Sequence, residues 1–125
     1  MDLNMEVLIV DDFATMRRIL KNILVQIGFT NIYEADNGKN ALKILKNQKI
    51  DLIMCDWNMP EMTGLDLLTA VRSDDALKGT PFVMVTAEAQ KENIIQAVQA
   101  GVNNYVVKPF TTETITQKLE KVFGG

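Results

Sequence analysis

Apolar residues arrive along the chain in five short, nearly solid runs, separated by longer stretches in which they recur every three or four positions. The runs are EVLIV (6–10), NIYEA (31–35), LIMCD (52–56), FVMVT (82–86) and NYVVK (104–108). Several are continuous enough to be strands buried on both faces. Between the first two, Met16, Ile19, Leu20, Ile23, Leu24 and Ile27 fall at helical spacing. Arg17, Arg18, Lys21, Asn22 and Gln26 lie on the other side of that helix, and Gly28 marks its end. Further helical segments are predicted at about 38–47, 64–73, 90–100 and 112–123, the last carrying Ile115, Leu119, Val122 and Phe123 on one face. Strand and helix therefore alternate throughout, with short connections and no internal repeat. This order predicts one α/β domain over 1–125, with a parallel sheet covered by helices on both faces.

In open sheets of this kind ligands gather beyond the carboxyl ends of the strands, where the strand order reverses. The residues at or just after those ends are Asp11 and Asp12, then Asp56, Thr86 and Lys108. Polar groups with useful chemistry thus collect at one rim.

Composition narrows what that rim can do. With 125 residues and 47% hydrophobic content, one core can form without disulfides or structural metals. The balance of 13 basic against 16 acidic residues gives a net charge of −3, with no block of like charge to track nucleic-acid phosphates. The single cysteine, Cys55, lies inside an apolar run and reads as an inert core thiol in a reducing compartment. The N-terminal stretch MDLNMEVLIV lacks the basic region and the length of a signal peptide, and no run approaches a membrane span. Absence of histidine excludes Ser-His and Cys-His mechanisms and histidine-based metal sites within this polypeptide.

Two carboxylates about 4 Å apart repel by roughly 4 kcal/mol at an effective dielectric near 20, so three in one cleft call for a counter-charge. Lys108 supplies one, and a hard divalent cation such as Mg2+ suits oxygen ligands better. The rim then resembles a phosphoryl-transfer centre. Asp56 is the candidate nucleophile, Mg2+ and Lys108 neutralise phosphoryl oxygens, and the Thr86 hydroxyl donates to one of them. Taken singly, each residue also has an ordinary reading. Asp11 and Asp12 fit as helix caps, Asp56 and Thr86 as polar strand ends, Lys108 as a solvated charge before Pro109, and Tyr105 as a half-buried strand aromatic. The methionines and Trp57 read as packing.

The segments LIVDDFATMRR, MCDWNMPEMTGLDLL, VMVTAEA and NYVVKPF, in this order over essentially the whole chain, resemble the receiver domain of two-component response regulators. Most closely they are similar to its single-domain chemotaxis branch, the CheY type. The resemblance implies a flavodoxin-like (βα)5 three-layer sandwich with a five-stranded parallel sheet of order 2-1-3-4-5. It further implies phosphorylation at Asp56, Mg2+ held by Asp12, Asp56 and the Asn58 carbonyl with Asp11 helping through water, and phosphoryl oxygens bound by Thr86 and Lys108. The Lys108–Pro109 peptide is expected to be cis, and Tyr105 to turn inward as Thr86 moves. Asn58 and Glu88 sit where this family tunes acyl-phosphate hydrolysis. The implied output face, on the fourth helix, fifth strand and fifth helix, offers Ala89, Lys91, Ile94, Tyr105 and Lys118. Partners implied are the histidine kinase CheA, the flagellar motor switch protein FliM and a CheZ-type phosphatase. The expected molecule is a cytoplasmic monomer, a phosphoacceptor switch rather than an enzyme in the ordinary sense. A phosphorelay or phosphate-sink receiver that never touches the motor is the alternative.

Two departures from the family pattern stand out. Thr63 replaces the acid common in the MPxMDG turn, outside the acidic pocket and with little effect expected on chemistry. Asn103-Asn104 occupies a turn where small residues are usual, and asparagine's tolerance of positive φ is expected to preserve it. Rivals from other classes fit less well. A haloacid-dehalogenase-type phosphatase needs an acid at position 13, where Phe13 stands, and a flavodoxin-like flavin carrier needs a hydroxyl-rich phosphate loop where this chain has DDFAT.

Overall fold

The computed structural model describes residues 1–87 and 90–124. Strands and helices alternate: β1 (Glu6–Val10), α1 (Ala14–Ile27), β2 (Asn31–Ala35), α2 (Gly38–Asn47), β3 (Leu52–Asp56), α3 (Gly64–Ser73), β4 (Phe82–Thr86), α4 (Lys91–Gln99), β5 (Asn104–Val107) and α5 (Thr112–Phe123). The strands pair in parallel in the order β2-β1-β3-β4-β5, the flavodoxin-like topology. Strand order reverses at β1, so the carboxyl ends of β1 and β3 flank the crevice where such sheets place ligands.

The period of two along each strand divides the core into two layers. Val7, Ile9, Leu52, Met54, Val83, Val85 and Val106 face one way and pack with Leu20 and Leu24 of α1 and Ile115 and Leu119 of α5. Leu8, Val10, Ile53, Cys55, Phe82 and Met84 face the other and pack with Ala41 and Leu45 of α2 and Leu67, Leu68 and Val71 of α3. Because every residue of β3 and β4 is buried, those strands have no solvent-facing positions to alternate. α4 differs from the other helices, since Ala97 is the only buried residue among its nine. Little apolar area therefore fastens it to the sheet.

Local chemistry sets the helix ends. Asn37 and Thr111 accept the backbone N–H of Asn40 and Thr114 to cap α2 and α5. Thr63 caps α3 in a reciprocal box, its hydroxyl accepting from the Asp66 N–H while the Asp66 carboxylate accepts from the Thr63 N–H. That is the structural use of a residue the sequence marked only as a departure. α1 ends at Gly28, whose φ of 124° lets its N–H reach Leu24 and Val25 carbonyls.

Three expectations need correction. Ile19 is 43% exposed, because the buried stripe of α1 centres on Leu20 and Leu24 and Ile19 lies about a quarter-turn away. β5 stops at Val107, one residue short, as the chain approaches the cis Lys108–Pro109 peptide. The positive φ near the α4–β5 turn falls on Gly101 and not on Asn103 or Asn104. Asn103 instead uses its side-chain oxygen to accept from the Phe82 N–H and the Arg72 guanidinium.

Candidate functional site

The parallel register brings the five polar rim residues to one end of the sheet. Asp56 is the last residue of β3 and lies opposite Val85, one position before Thr86 at the end of β4. Thr86 lies opposite Val107, one position before Lys108, whose N–H donates to the Thr86 carbonyl at 2.8 Å. Asp11 follows β1 directly and is held to β2 by its own N–H, 3.1 Å from the Ala35 carbonyl.

Asp56, Asp11 and Thr86 are the buried polar or charged residues of the described chain. Oxygens of Asp11, Asp12 and Asp56 lie within 4.8 Å of one another, with Asp12 exposed at the mouth. The Lys108 ammonium reaches in to 3.1 Å from Asp56 Oδ1 and 3.5 Å from Asp11 Oδ2. Burial pushes the Asp56 carboxyl above its ordinary range. Lys108 pulls it back, Asp11 pushes it up again, and the Asn58 backbone N–H adds a smaller stabilising bond to the carboxylate. The net direction is upward, with burial the first cause; by charge alone, one ammonium faces three carboxylates. This imbalance, with an all-oxygen donor set open to solvent through Asp12, fits a small hard dication that keeps some of its water.

The acids do not cap α1. Its N-cap is Phe13, without a side-chain hydrogen bond, and Asp11 Oδ1 accepts the N–H of Phe13 itself. Asn58 is exposed one residue beyond Trp57, in a loop that reaches Pro60, Glu61 and Met62. The Met62 N–H bonds back to the Pro60 carbonyl, and Glu61 between them has φ 68°, a strained conformation for a residue with a side chain.

The residues expected on the output face are partly assembled. Lys91 is exposed on the first turn of α4, Ile94 is half-buried, and Lys118 Nζ sits 4.8 Å above the centre of the half-buried Tyr105 ring. Thr86, Ile94, Ala97 and Tyr105 border one narrow cleft beneath α4 of about 10 Å³. Glu88 and Ala89 lie outside the described residues. Sequence reasoning placed Arg17 on the solvated face of α1. It is instead half-buried, donating from Nη1 to the Asp11 carbonyl at 2.6 Å and from Nε to Glu34 at 3.2 Å. The chain held no signal for this, since the contact depends on how β1 and β2 end side by side. The capping box at Thr63 was signalled, by Thr63 and Asp66 at the required spacing before an apolar run.

The model of the response regulator receiver domain family matches residues 7–120. Chemotaxis protein CheY of Pseudomonas aeruginosa is 59% identical over 119 residues, covering 95% of this chain and 96% of that protein. Chemotaxis protein CheY-3 of Vibrio cholerae is 57% identical over 120 residues, covering 96% of this chain and 92% of that protein. Among solved structures, Vibrio cholerae CheY4 superposes with a TM-score of 0.89 at 34% identity, over 95% of this chain and 98% of that one. The signal receiver domain of a histidine kinase from Syntrophus aciditrophicus superposes with a TM-score of 0.86 at 26% identity, over 97% and 91%.

Proposed function

The chain belongs to the response regulator receiver domain family, and from that premise we propose that it is a CheY-type chemotaxis regulator switched by phosphorylation of Asp56. The observation that carries this reading is the Asp56 carboxylate, buried at the switch point of the sheet, 3.1 Å from Lys108 Nζ and grouped with Asp11 and Asp12. A carboxylate in that position serves as a nucleophile toward phosphorus. One Asp56 oxygen attacks, the P–O bond forms as the donor's P–N bond breaks, and a phosphohistidine of a CheA-type kinase releases its imidazole. Lys108 and the Thr86 hydroxyl bind equatorial oxygens of the transferring group, where charge must be held in a fixed, desolvated setting. Asp11, Asp12, Asp56 and the Asn58 carbonyl would hold Mg2+, which when bound neutralises phosphoryl charge. Return to the free carboxylate requires water to attack phosphorus and inorganic phosphate to leave. Asn58 and Glu88 tune the access of that water, alone or with a CheZ-type phosphatase.

The same chemistry supplies the switch. A phosphoryl group on Asp56 offers Thr86 a partner present in one state only, and populations shift by that difference in interaction. The cleft shared by Thr86 and Tyr105 holds barely one water at about 10 Å³, so inward movement of the Tyr105 ring needs Thr86 or α4 to yield. Fastened by Ala97 alone among its buried side chains, α4 is the element that yields most cheaply. Its shift would remodel the face that carries Lys91, Ile94, Tyr105 and Lys118, an apolar and basic surface suited to an acidic amphipathic segment of FliM.

The test has two arms. Incubation with Mg2+ and acetyl phosphate, followed by intact mass, is expected to give one labile phosphoryl adduct in the wild type and none in Asp56→Asn. An equal adduct in the mutant overturns the assignment. Binding of the N-terminal FliM segment is expected to tighten when beryllofluoride is present, and indifference to it would favour a phosphorelay or sink role.

A further inference from the structure

Arg17 occupies the first turn of α1 yet spends its guanidinium on the neighbouring strand ends. Nη1 donates to the Asp11 carbonyl at 2.6 Å, a short bond of the charge-assisted kind. Nε donates to Glu34 Oε1 at 3.2 Å, and Lys21 Nζ steadies the same carboxylate from 3.7 Å. Asp11 is consequently fixed on three sides. Its N–H is held by Ala35, its carbonyl by Arg17, and its Oδ1 by the Phe13 N–H at 2.9 Å. The atom left for the acidic cleft is Oδ2, which lies 3.5 Å from Lys108 Nζ. Since α1 has no side-chain cap at Phe13, no capping side chain there shares the task of fixing the β1–α1 turn.

We propose that Arg17 is a positioning residue for the cation site: by clamping the Asp11 carbonyl against Glu34 it sets where Asp11 Oδ2 and Asp12 stand. The inference rests on the reading of these acids as a Mg2+ site. It has a sign that separates it from bulk electrostatics. A fixed positive charge near a dication repels it, so charge alone makes removal of Arg17 tighten Mg2+ binding. Positioning makes the same removal weaken it. Substitutions behind a metal's ligands usually weaken affinity by 10- to 100-fold, and a clamp acting through backbone is expected near the lower end, about tenfold.

The experiment titrates Mg2+ into wild type, Arg17→Ala and Arg17→Lys, read by Trp57 fluorescence and by backbone amide shifts at Asp11, Asp12 and Phe13. Arg17→Ala is expected to weaken binding about tenfold. Arg17→Lys keeps the charge, but one ammonium cannot span both Asp11 and Glu34 as the planar fork does, and several-fold weakening is expected. Thermal unfolding without metal records any general loss of stability. A wild type that shows no response to Mg2+ overturns the metal reading and this inference together. A wild type that titrates while Arg17→Ala binds equally or more tightly overturns the inference alone. Should Arg17→Ala not fold, Arg17→Lys decides, and wild-type affinity in that variant overturns the clamp.

Discussion

Gly64 opens α3 against the backbone at the end of β3, and a methyl group there probes how the rim is built. A Cβ at Gly64 would stand 2.4 Å from the Asp56 carbonyl oxygen, 2.7 Å from Met84 Sδ and 3.0 Å from Trp57 Cα. Two of these are backbone atoms of the site itself, and the Gly64 N–H already bonds the Trp57 carbonyl at 2.8 Å. Neither atom can turn aside as a side chain would. Forcing such a contact costs at the upper end of the usual overpacking range, about 3 kcal/mol. Replacing glycine at a helix position returns at most about 1 kcal/mol, so Gly64→Ala should lose about 2 kcal/mol net. For a chain of 125 residues that corresponds to a Tm lower by roughly 8 °C. Two other glycines serve as controls. The three atoms nearest a Cβ at Gly38 all belong to the Met62 side chain, the closest being Sδ, and a Cβ at Gly79 meets nothing within 4 Å. Gly38→Ala should cost less than Gly64→Ala, because a side chain yields more readily than backbone, and Gly79→Ala should be neutral or stabilising by about 0.4–1 kcal/mol. Urea unfolding of the three variants gives the order. Phosphorylation by acetyl phosphate should slow in Gly64→Ala alone, by about tenfold, because displacement of the acceptor by a fraction of an ångström is costly. Wild-type stability and phosphorylation rate in Gly64→Ala would refute the close-approach argument.

The Asp56 carboxyl titrates higher in the folded chain than its unfolded value of 3.8, with burial the first cause. The native state therefore loses stability as pH rises through the interval between those two values. In metal-free buffer Asp56→Asn should be more stable than wild type at neutral pH, and the advantage should shrink as pH falls through that interval, as read by urea unfolding. Arg72 ties α3 to the turns that precede β4 and β5, donating to the carbonyls of Lys78, Thr80 and Gly101 and to Asn103 Oδ1. Arg72→Ala should cost about 2 kcal/mol by the same assay, with little rescue by Arg72→Lys.

The fold was legible because its signals are periodic. Solid runs such as LIMCD and FVMVT, five residues long and alternating with helical stretches, read as strands covered on both sides, and their order points to a parallel sheet. Legibility of the rim followed from topology, since every parallel strand delivers its last residue to the same edge. Asp56 and Thr86 needed no tertiary detail to be brought together, only the strand order. What escaped was aperiodic. Arg17, Arg72 and Asn103 act through side-chain bonds to backbone groups or to each other, across turns whose approach no local pattern encodes. Ile19 was misplaced for a related reason: helical spacing names a stripe but not how wide an arc the sheet and α5 will cover.

Asp56, and neither of its acidic neighbours, is expected to take the phosphoryl group. Borohydride reduces an aspartyl phosphate to homoserine, so peptide mapping after treatment with Mg2+, acetyl phosphate and then borohydride reads the position directly. Homoserine at position 56 alone, abolished by EDTA, is the predicted result. Homoserine at position 11 or 12, or conversion that is indifferent to the metal, would contradict phosphorylation of Asp56 at a metal-dependent site.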